Sequence, residues 1–82
     1  MLKHRWININ KIKITPQFQE CPPKFIKMAQ KYDWYMKYGK FQSPIVLNKD
    51  YTLVDGYTSY LIAKKVGKKS LFVYFLEKEQ GR

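Results

Sequence analysis

The sequence has few of the residue types on which most enzymes and metal proteins depend. It contains one cysteine, Cys21, and one histidine, His4, which are far apart in the chain. A lone cysteine excludes an internal disulfide and fits a reducing compartment. The usual zinc sites need three or four such ligands. We therefore expect no metal site, and Cys21 is better explained as inert than as a nucleophile.

Acidic residues are also scarce, with six Asp and Glu against 16 Lys and Arg, which gives a formal net charge of +10. Such a charge favours polyanionic partners, either nucleic acid or an acidic protein surface, although a solvated lysine-rich surface is the simpler alternative. Only Arg5 and Arg82 are arginines, and arginine makes the commonest specific contacts to guanine. Nucleic-acid binding should therefore depend on counterion release and be weakly sequence-specific at most.

Long apolar runs are missing as well. No run approaches the roughly 18 residues of a membrane-spanning helix, and the N-terminus lacks the apolar centre of a signal peptide. The sequence thus predicts no membrane partner and a cytoplasmic location. A chain of 82 residues has room for one domain. We expect a single domain over residues 1–82 that ends in a short polar tail at residues 77–82.

The first half of the chain predicts a strand followed by a helix. Residues 6–14 alternate between apolar and polar with a slip at Asn10 and Lys11, which indicates a bulge or turn within the strand. Residues 17–21 should form a loop whose Phe18 fills the core. The helix should enter at Pro22 and Pro23 and end before Gly39. Its predicted core-facing stripe consists of Phe25, Met28, Ala29, Tyr32, Tyr35 and Met36.

The second half predicts a hairpin, a second helix and a last strand. Residues 45–47 and 51–54 are typical of hairpin strands joined by a turn at residues 48–50. Asp55 is expected to be the N-cap of a helix over residues 57–66 that is closed by Gly67. Residues 71–76 form a continuous apolar run, which favours a central strand covered on both faces. The resulting order predicts an α+β fold.

The junction between the hairpin and the second helix is the first candidate site. The backbone N–H groups in the first turn of a helix bind anions, and a glycine lets the backbone approach a ligand closely. The candidate residues for binding a phosphate or nucleotide are Gly56, Tyr57, Thr58 and Ser59. The alternative is that these residues only turn and pack, with Thr58 and Ser59 in solvent.

Two further groups are candidates for binding nucleic acid or a protein partner. The first group lies at the end of the second helix and consists of Lys64, Lys65, Lys68 and Lys69, although cations there also complement the helix dipole. The second group is Lys37 and Lys40 with Trp34. Trp34 lies off the apolar stripe and is expected to be exposed, where it could stack on a base or anchor a protein. Core packing of the neighbouring aromatic residues is the alternative.

A helix ending at Tyr38 and Gly39, the segment 43–47 and the junction at residues 51–67 together resemble the ParB N-terminal domain and the related sulfiredoxin fold. The resemblance covers almost the whole chain. It implies a small ParB/sulfiredoxin-like domain with a mixed sheet and two main helices. Such a domain would stand alone, without the further domains of chromosome-partitioning ParB proteins.

The same resemblance implies that the active-site motif is degenerate. In ParB proteins the glycine that corresponds to Gly56 is followed by Glu-Arg-Arg, which helps to bind cytidine triphosphate. In sulfiredoxin it is followed by Cys-His-Arg, which includes the nucleophile. Here Tyr57, Thr58 and Ser59 occupy these places. We therefore expect no catalytic residues, no cofactor and no enzymatic activity.

Three functional hypotheses follow from the charge and the resemblance. The leading one is a noncatalytic ParB-like module that acts on DNA or a DNA-processing complex through a basic surface. The second is a protein-interaction or inhibitor module of a phage or mobile element, with an acidic or nucleic-acid-binding protein as its partner. The third is residual nucleotide binding or hydrolysis at residues 55–59. The sequence is compatible with either a monomer or a dimer.

Overall fold

The structure, a computed structural model, describes residues 2–76. Their elements, in chain order, are β1 (Leu2–Asn8), α1 (Pro16–Glu20), α2 (Phe25–Tyr38), β2 (Val46–Leu47), β3 (Leu53–Asp55), α3 (Tyr57–Lys65) and β4 (Ser70–Leu76). A 3₁₀ turn at Ile9–Lys11 follows β1. The polar tail predicted at residues 77–82 lies outside the described residues.

The four described strands form one mixed sheet in the order β1-β4-β2-β3. β4 pairs antiparallel with β1 and parallel with β2, and β2 pairs antiparallel with β3. The antiparallel pair β2–β3 confirms the predicted hairpin. The parallel pair requires a crossover connection, which here consists of β3 and α3. The α+β prediction, with a mixed sheet and two main helices, is confirmed.

The hydrophobic core lies between one face of the sheet and α3. β4 contributes alternate residues to it, Leu71, Val73 and Phe75, and α3 contributes Tyr60 and Ala63. This alternation is that of a strand with one covered face. The prediction that both faces of β4 are covered is therefore wrong, because the described helices pack on the core side only.

The prediction for α2 was right about the element and right about only part of its packing. The helix begins at Phe25, after Pro22 and Pro23, and ends at Gly39, whose φ of 73° is the expected left-handed cap. No residue of α2 is fully buried. Phe25 is 85% exposed and Met36 is 61% exposed. The predicted stripe is therefore wrong at Phe25 and Met36, whereas Met28, Ala29, Tyr32 and Tyr35 are half-buried on a helix that packs against α3.

Three local predictions have different outcomes. The predicted slip in the first strand is confirmed as the turn at Ile9–Lys11, although β1 begins earlier than expected, at Leu2. The predicted loop at residues 17–21 is wrong, because Pro16 starts a short helix there, as its fixed φ favours. Phe18 packs against the core as predicted.

Candidate functional site

A cavity of about 290 Å³ lies at the start of α3. Asp55, Gly56, Tyr57 and Thr58 line it from the junction, and Lys27 and Lys31 line it from α2. The cavity thus combines the N-terminal turn of a helix with two cations. Both features attract anions.

The chain turns into α3 at Gly56, which has a φ of 89°. A Cβ at this position would lie 2.3 Å from the backbone oxygen of Pro44, so the close approach requires glycine. Gly56 is the N-cap. The prediction that Asp55 caps the helix is wrong, because its Oδ1 accepts a hydrogen bond from the N–H of Gly56 at 2.9 Å. Within residues 2–76, no side chain caps α3, so its first N–H groups have no side-chain acceptor.

Thr58 and Ser59 are buried, with 8% and 1% of their surface exposed. The expectation that they lie in solvent is therefore wrong. The hydroxyl of Ser59 donates a hydrogen bond to the backbone oxygen of Ser43 at 2.8 Å. Ser59 thus serves the packing of α3, whereas Gly56, Tyr57 and Thr58 line the cavity.

The two cations of this cavity were not among the predicted site residues. Lys27 and Lys31 lie four positions apart, which places them on one face of α2. Lys31 Nζ donates a hydrogen bond to the hydroxyl of Ser43 at 2.6 Å. The spacing was visible in the sequence, but only the packing of α2 beside α3 shows that this face points at the junction.

Tyr57 forms an aromatic side of the cavity. Its ring lies 5.0 Å from that of Phe18 and 6.3 Å from that of Tyr60, measured between centroids. Cys21 is exposed and lines the same cavity. Chemical modification of this thiol, the single one in the chain, can therefore report on ligand binding at the junction.

A second concave surface, the basic groove, lies between the end of α3 and the turn after β1. The groove measures about 340 Å³ and is lined by Lys64, Lys68 and Lys69. Ile9 N–H donates a hydrogen bond to the Lys69 backbone oxygen at 2.9 Å, which fixes the turn beside the lysines. Lys65 is exposed and lies outside the lining of the groove. Three of the four predicted lysines therefore share one surface.

The group around Trp34 forms a separate surface on α2. Trp34 is half-buried, and its ring centroid lies 4.5 Å from that of Tyr38. The prediction that Trp34 is exposed is therefore wrong. Lys37 Nζ lies 6.0 Å from the Tyr38 ring centroid, and Lys40 is exposed. The cavity beside Trp34 and Lys37 shares no lining residue with the basic groove.

No three His, Cys, Asp or Glu side chains within residues 2–76 are grouped so that they could hold a metal ion. None of the described helices has the length and apolar character needed to cross a membrane. A hydrogen bond from the side chain of Thr52 lowers the pKa of Asp50, assisted by the Thr52 backbone and the charge of Lys13. Asp50 lies in the hairpin turn, so this shift is local.

No protein-family model and no curated protein matches the sequence. Solved structures do match. A pNOB8-like ParB N-domain is similar with a TM-score of 0.79 and 22% identity, over 96% of this chain and 31% of that chain. Sulfiredoxin from Arabidopsis thaliana is similar with a TM-score of 0.72 and 18% identity, over 95% of this chain and 86% of that chain.

A C-terminally truncated chromosome-partitioning protein ParB from Caulobacter crescentus, complexed with CTP-γ-S, also matches. Its TM-score is 0.70 with 15% identity, over 95% of this chain and 46% of that chain. The chain therefore has the ParB/sulfiredoxin fold, as the sequence predicted. It spans about a third of the length of the pNOB8-like chain, 31%.

Proposed function

We propose that this chain is a noncatalytic ParB-like module that binds DNA, or a DNA-processing complex, through its basic surface. The observation that carries the proposal is the basic groove, in which Lys64, Lys68 and Lys69 meet without a carboxylate in the lining. The net charge of +10 supports it. The absence of catalysis rests on Tyr57, Thr58 and Ser59, which supply no Cys, His or Arg to the junction.

The proposed binding is electrostatic. Each lysine that neutralises a phosphate releases a counterion, and this release makes affinity fall with salt at a logarithmic slope of roughly 0.7 to 0.9 per phosphate. Three groove lysines should account for a slope of about 2 to 3. Lysine is a point charge with freely rotating donors, so sequence preference should be weak.

Fluorescence anisotropy of labelled oligonucleotides at two salt concentrations tests the proposal. The triple variant Lys64→Gln, Lys68→Gln, Lys69→Gln should bind less tightly and show a smaller salt slope. The matched control is Lys13→Gln, Lys24→Gln, Lys49→Gln, which removes the same charge from exposed positions elsewhere. Absence of binding at low salt, or equal losses in the two triple variants, would refute the proposal.

A second candidate function, binding of a nucleotide phosphate at the junction, is favoured by a separate observation. The cavity holds Lys27 and Lys31 beside the first turn of α3, which no side chain caps, and these two cations outnumber the one carboxylate in the lining, that of Asp55. Lys27 and Lys31 could supply the positive charge that Tyr57, Thr58 and Ser59 lack. The similarity to a ParB that was crystallised with CTP-γ-S points to the same ligand class.

Titration calorimetry with nucleoside triphosphates, with and without magnesium, tests this second function. Heat of binding that disappears in Lys27→Gln, Lys31→Gln but persists in Lys24→Gln, Lys49→Gln would support it. Product formation should be absent in all variants. No heat with any triphosphate would exclude this site, while leaving the groove proposal standing.

A further inference from the structure

The face of the sheet opposite the core presents a cluster of aromatic rings, here called the aromatic face, which consists of His4, Trp6, Phe72 and Tyr74. Trp6 is 64% exposed and Phe72 is 39% exposed. β1 and β4 place Trp6 directly opposite Phe72 and His4 directly opposite Tyr74. The residues are at alternate positions, so all four side chains lie on the same side of the sheet.

The rings of the aromatic face contact one another around Phe72. Its centroid lies 4.9 Å from that of His4, 5.6 Å from that of Trp6 and 5.7 Å from that of Tyr74. These separations are those of interacting aromatic pairs. The cluster is therefore a continuous aromatic surface that leaves the large Trp6 ring accessible.

The aromatic face is continuous with the basic groove. Asn8 follows Trp6 on the same side of β1 and lines both the groove and a concave surface that contains Trp6 and Lys11. On β4, Ser70 pairs with Asn8 and directly follows Lys69. Neither β1 nor β4 contains a carboxylate. The exposed aromatic rings and the groove lysines thus adjoin at one end of the sheet.

We propose that the aromatic face binds single-stranded nucleic acid, with bases stacked on Trp6 and its neighbouring rings and with phosphates beside Lys64, Lys68 and Lys69. This inference rests on the proposed nucleic-acid function and names its ligand class. Aromatic side chains beside a positively charged groove are the combination by which single strands are held without sequence preference. A duplex keeps its bases stacked on each other, so its bases are unavailable to Trp6.

Charge favours this occupant over a second copy of the chain. Each copy carries +10, and joining two copies by faces that adjoin lysine-lined grooves would bring like charges together. A single strand of nucleic acid offers flat bases that can stack on the aromatic face and phosphates that can pair with the groove lysines. A protein partner would need an acidic rim to match the groove, and it is treated as an outcome of the test.

Anisotropy with three labelled probes tests the inference. The probes are an oligothymidine of about 12 nucleotides, an abasic strand of the same length and a duplex of the same length. The oligothymidine should bind at least about tenfold more tightly than the abasic strand, since each stacked base adds a comparable factor.

Trp6→Ala and Phe72→Ala should each lose about tenfold in affinity for the oligothymidine and little in affinity for the abasic strand. Trp6→Phe, which keeps an aromatic ring, should retain most of the affinity.

Phe25→Ala is the matched control, because Phe25 is exposed on α2, away from the aromatic face, and its variant should bind like the unchanged protein. Equal binding of the oligothymidine and the abasic strand, or equal affinities of Trp6→Ala and Phe25→Ala, would overturn the inference while leaving the groove proposal intact. Absence of binding to all three probes would overturn both. Sedimentation showing a dimer that Trp6→Ala dissociates, with nucleic-acid binding unchanged, would assign the face to a second copy.

Discussion

The hydroxyl of Ser59 donates a hydrogen bond to the backbone oxygen of Ser43 at 2.8 Å, so a residue expected to face a ligand instead ties α3 to the loop before β2. Ser59 is 1% exposed. The same Ser43 accepts a hydrogen bond from Lys31 through its own hydroxyl. The loop that precedes β2 is therefore held by both α2 and α3.

Ser59→Ala should destabilise the fold by about 1–2 kcal/mol, because the partly buried backbone oxygen of Ser43 loses its side-chain donor. Urea unfolding measures the loss. Ser70→Ala, at an exposed strand position, is the matched control and should change the free energy of unfolding by less than about 0.5 kcal/mol. Equal effects in the two variants would contradict the structural role assigned to Ser59.

Gly56→Ala should be among the most damaging single substitutions, with a cost of about 3 kcal/mol or more in unfolding free energy. The added Cβ meets the Pro44 oxygen at 2.3 Å in a backbone conformation with φ of 89°. Gly39→Ala separates the two causes, since Gly39 has φ of 73° but nothing within 4 Å of the added Cβ. It should cost only the left-handed backbone penalty, about 1–2 kcal/mol. Thermal unfolding of both variants tests the difference.

The parts of the fold that could be predicted are those set by local chemistry. Gly39 and Gly67 have positive φ, as their predicted positions after the ends of helices indicated. The strand-to-helix junction was found because its turn depends on a residue without a Cβ. The apolar run at residues 71–76 predicted β4, because a continuous apolar run of that length is typical of a strand.

What could not be predicted depends on which surfaces meet. Six consecutive apolar residues do not reveal that only one face of β4 is covered, so the exposure of Phe72 was missed. The aromatic face needs the β1–β4 register, which places Trp6 opposite Phe72, and that register is a long-range property. Lys27 and Lys31 likewise became site residues only through the packing of α2 against α3.

Trp34→Phe should change the free energy of unfolding by less than about 1 kcal/mol, although a smaller phenyl ring replaces the indole. Trp34 Nε1 is buried and finds no hydrogen-bond partner within residues 2–76. Removing a buried unpaired donor offsets part of the lost packing. Urea unfolding tests this expectation, and a loss above about 2 kcal/mol would contradict it. The variant also leaves Trp6 as the only tryptophan, so its fluorescence would report directly on the aromatic face.

Asp50→Asn should reduce the acid sensitivity of the fold. Hydrogen bonding by Thr52 lowers the pKa of Asp50 in the folded state, so its stabilising effect is present above the unfolded pKa of about 4 and is lost as the pH falls below it. Unfolding at a series of pH values should therefore show the parent more stable than the variant at neutral pH, with the two converging in acid. A constant difference across the series would contradict this. The asparagine keeps an acceptor for the Thr52 N–H, so the comparison isolates the charge.

Cys21 gives a direct test of the junction cavity, because it is exposed and lines the same cavity as Lys27 and Lys31. If nucleoside triphosphates bind there, they should slow alkylation of this thiol at least severalfold, as followed by intact mass, whereas the nucleoside without phosphates should not. Protection should disappear in Lys27→Gln, Lys31→Gln and persist in Lys24→Gln, Lys49→Gln. Single-stranded nucleic acid held on the aromatic face should leave the alkylation rate unchanged, since that face is on the opposite side of the sheet. Protection by oligothymidine with none by triphosphates would mean that the strand runs through the junction, contrary to the placement proposed for it.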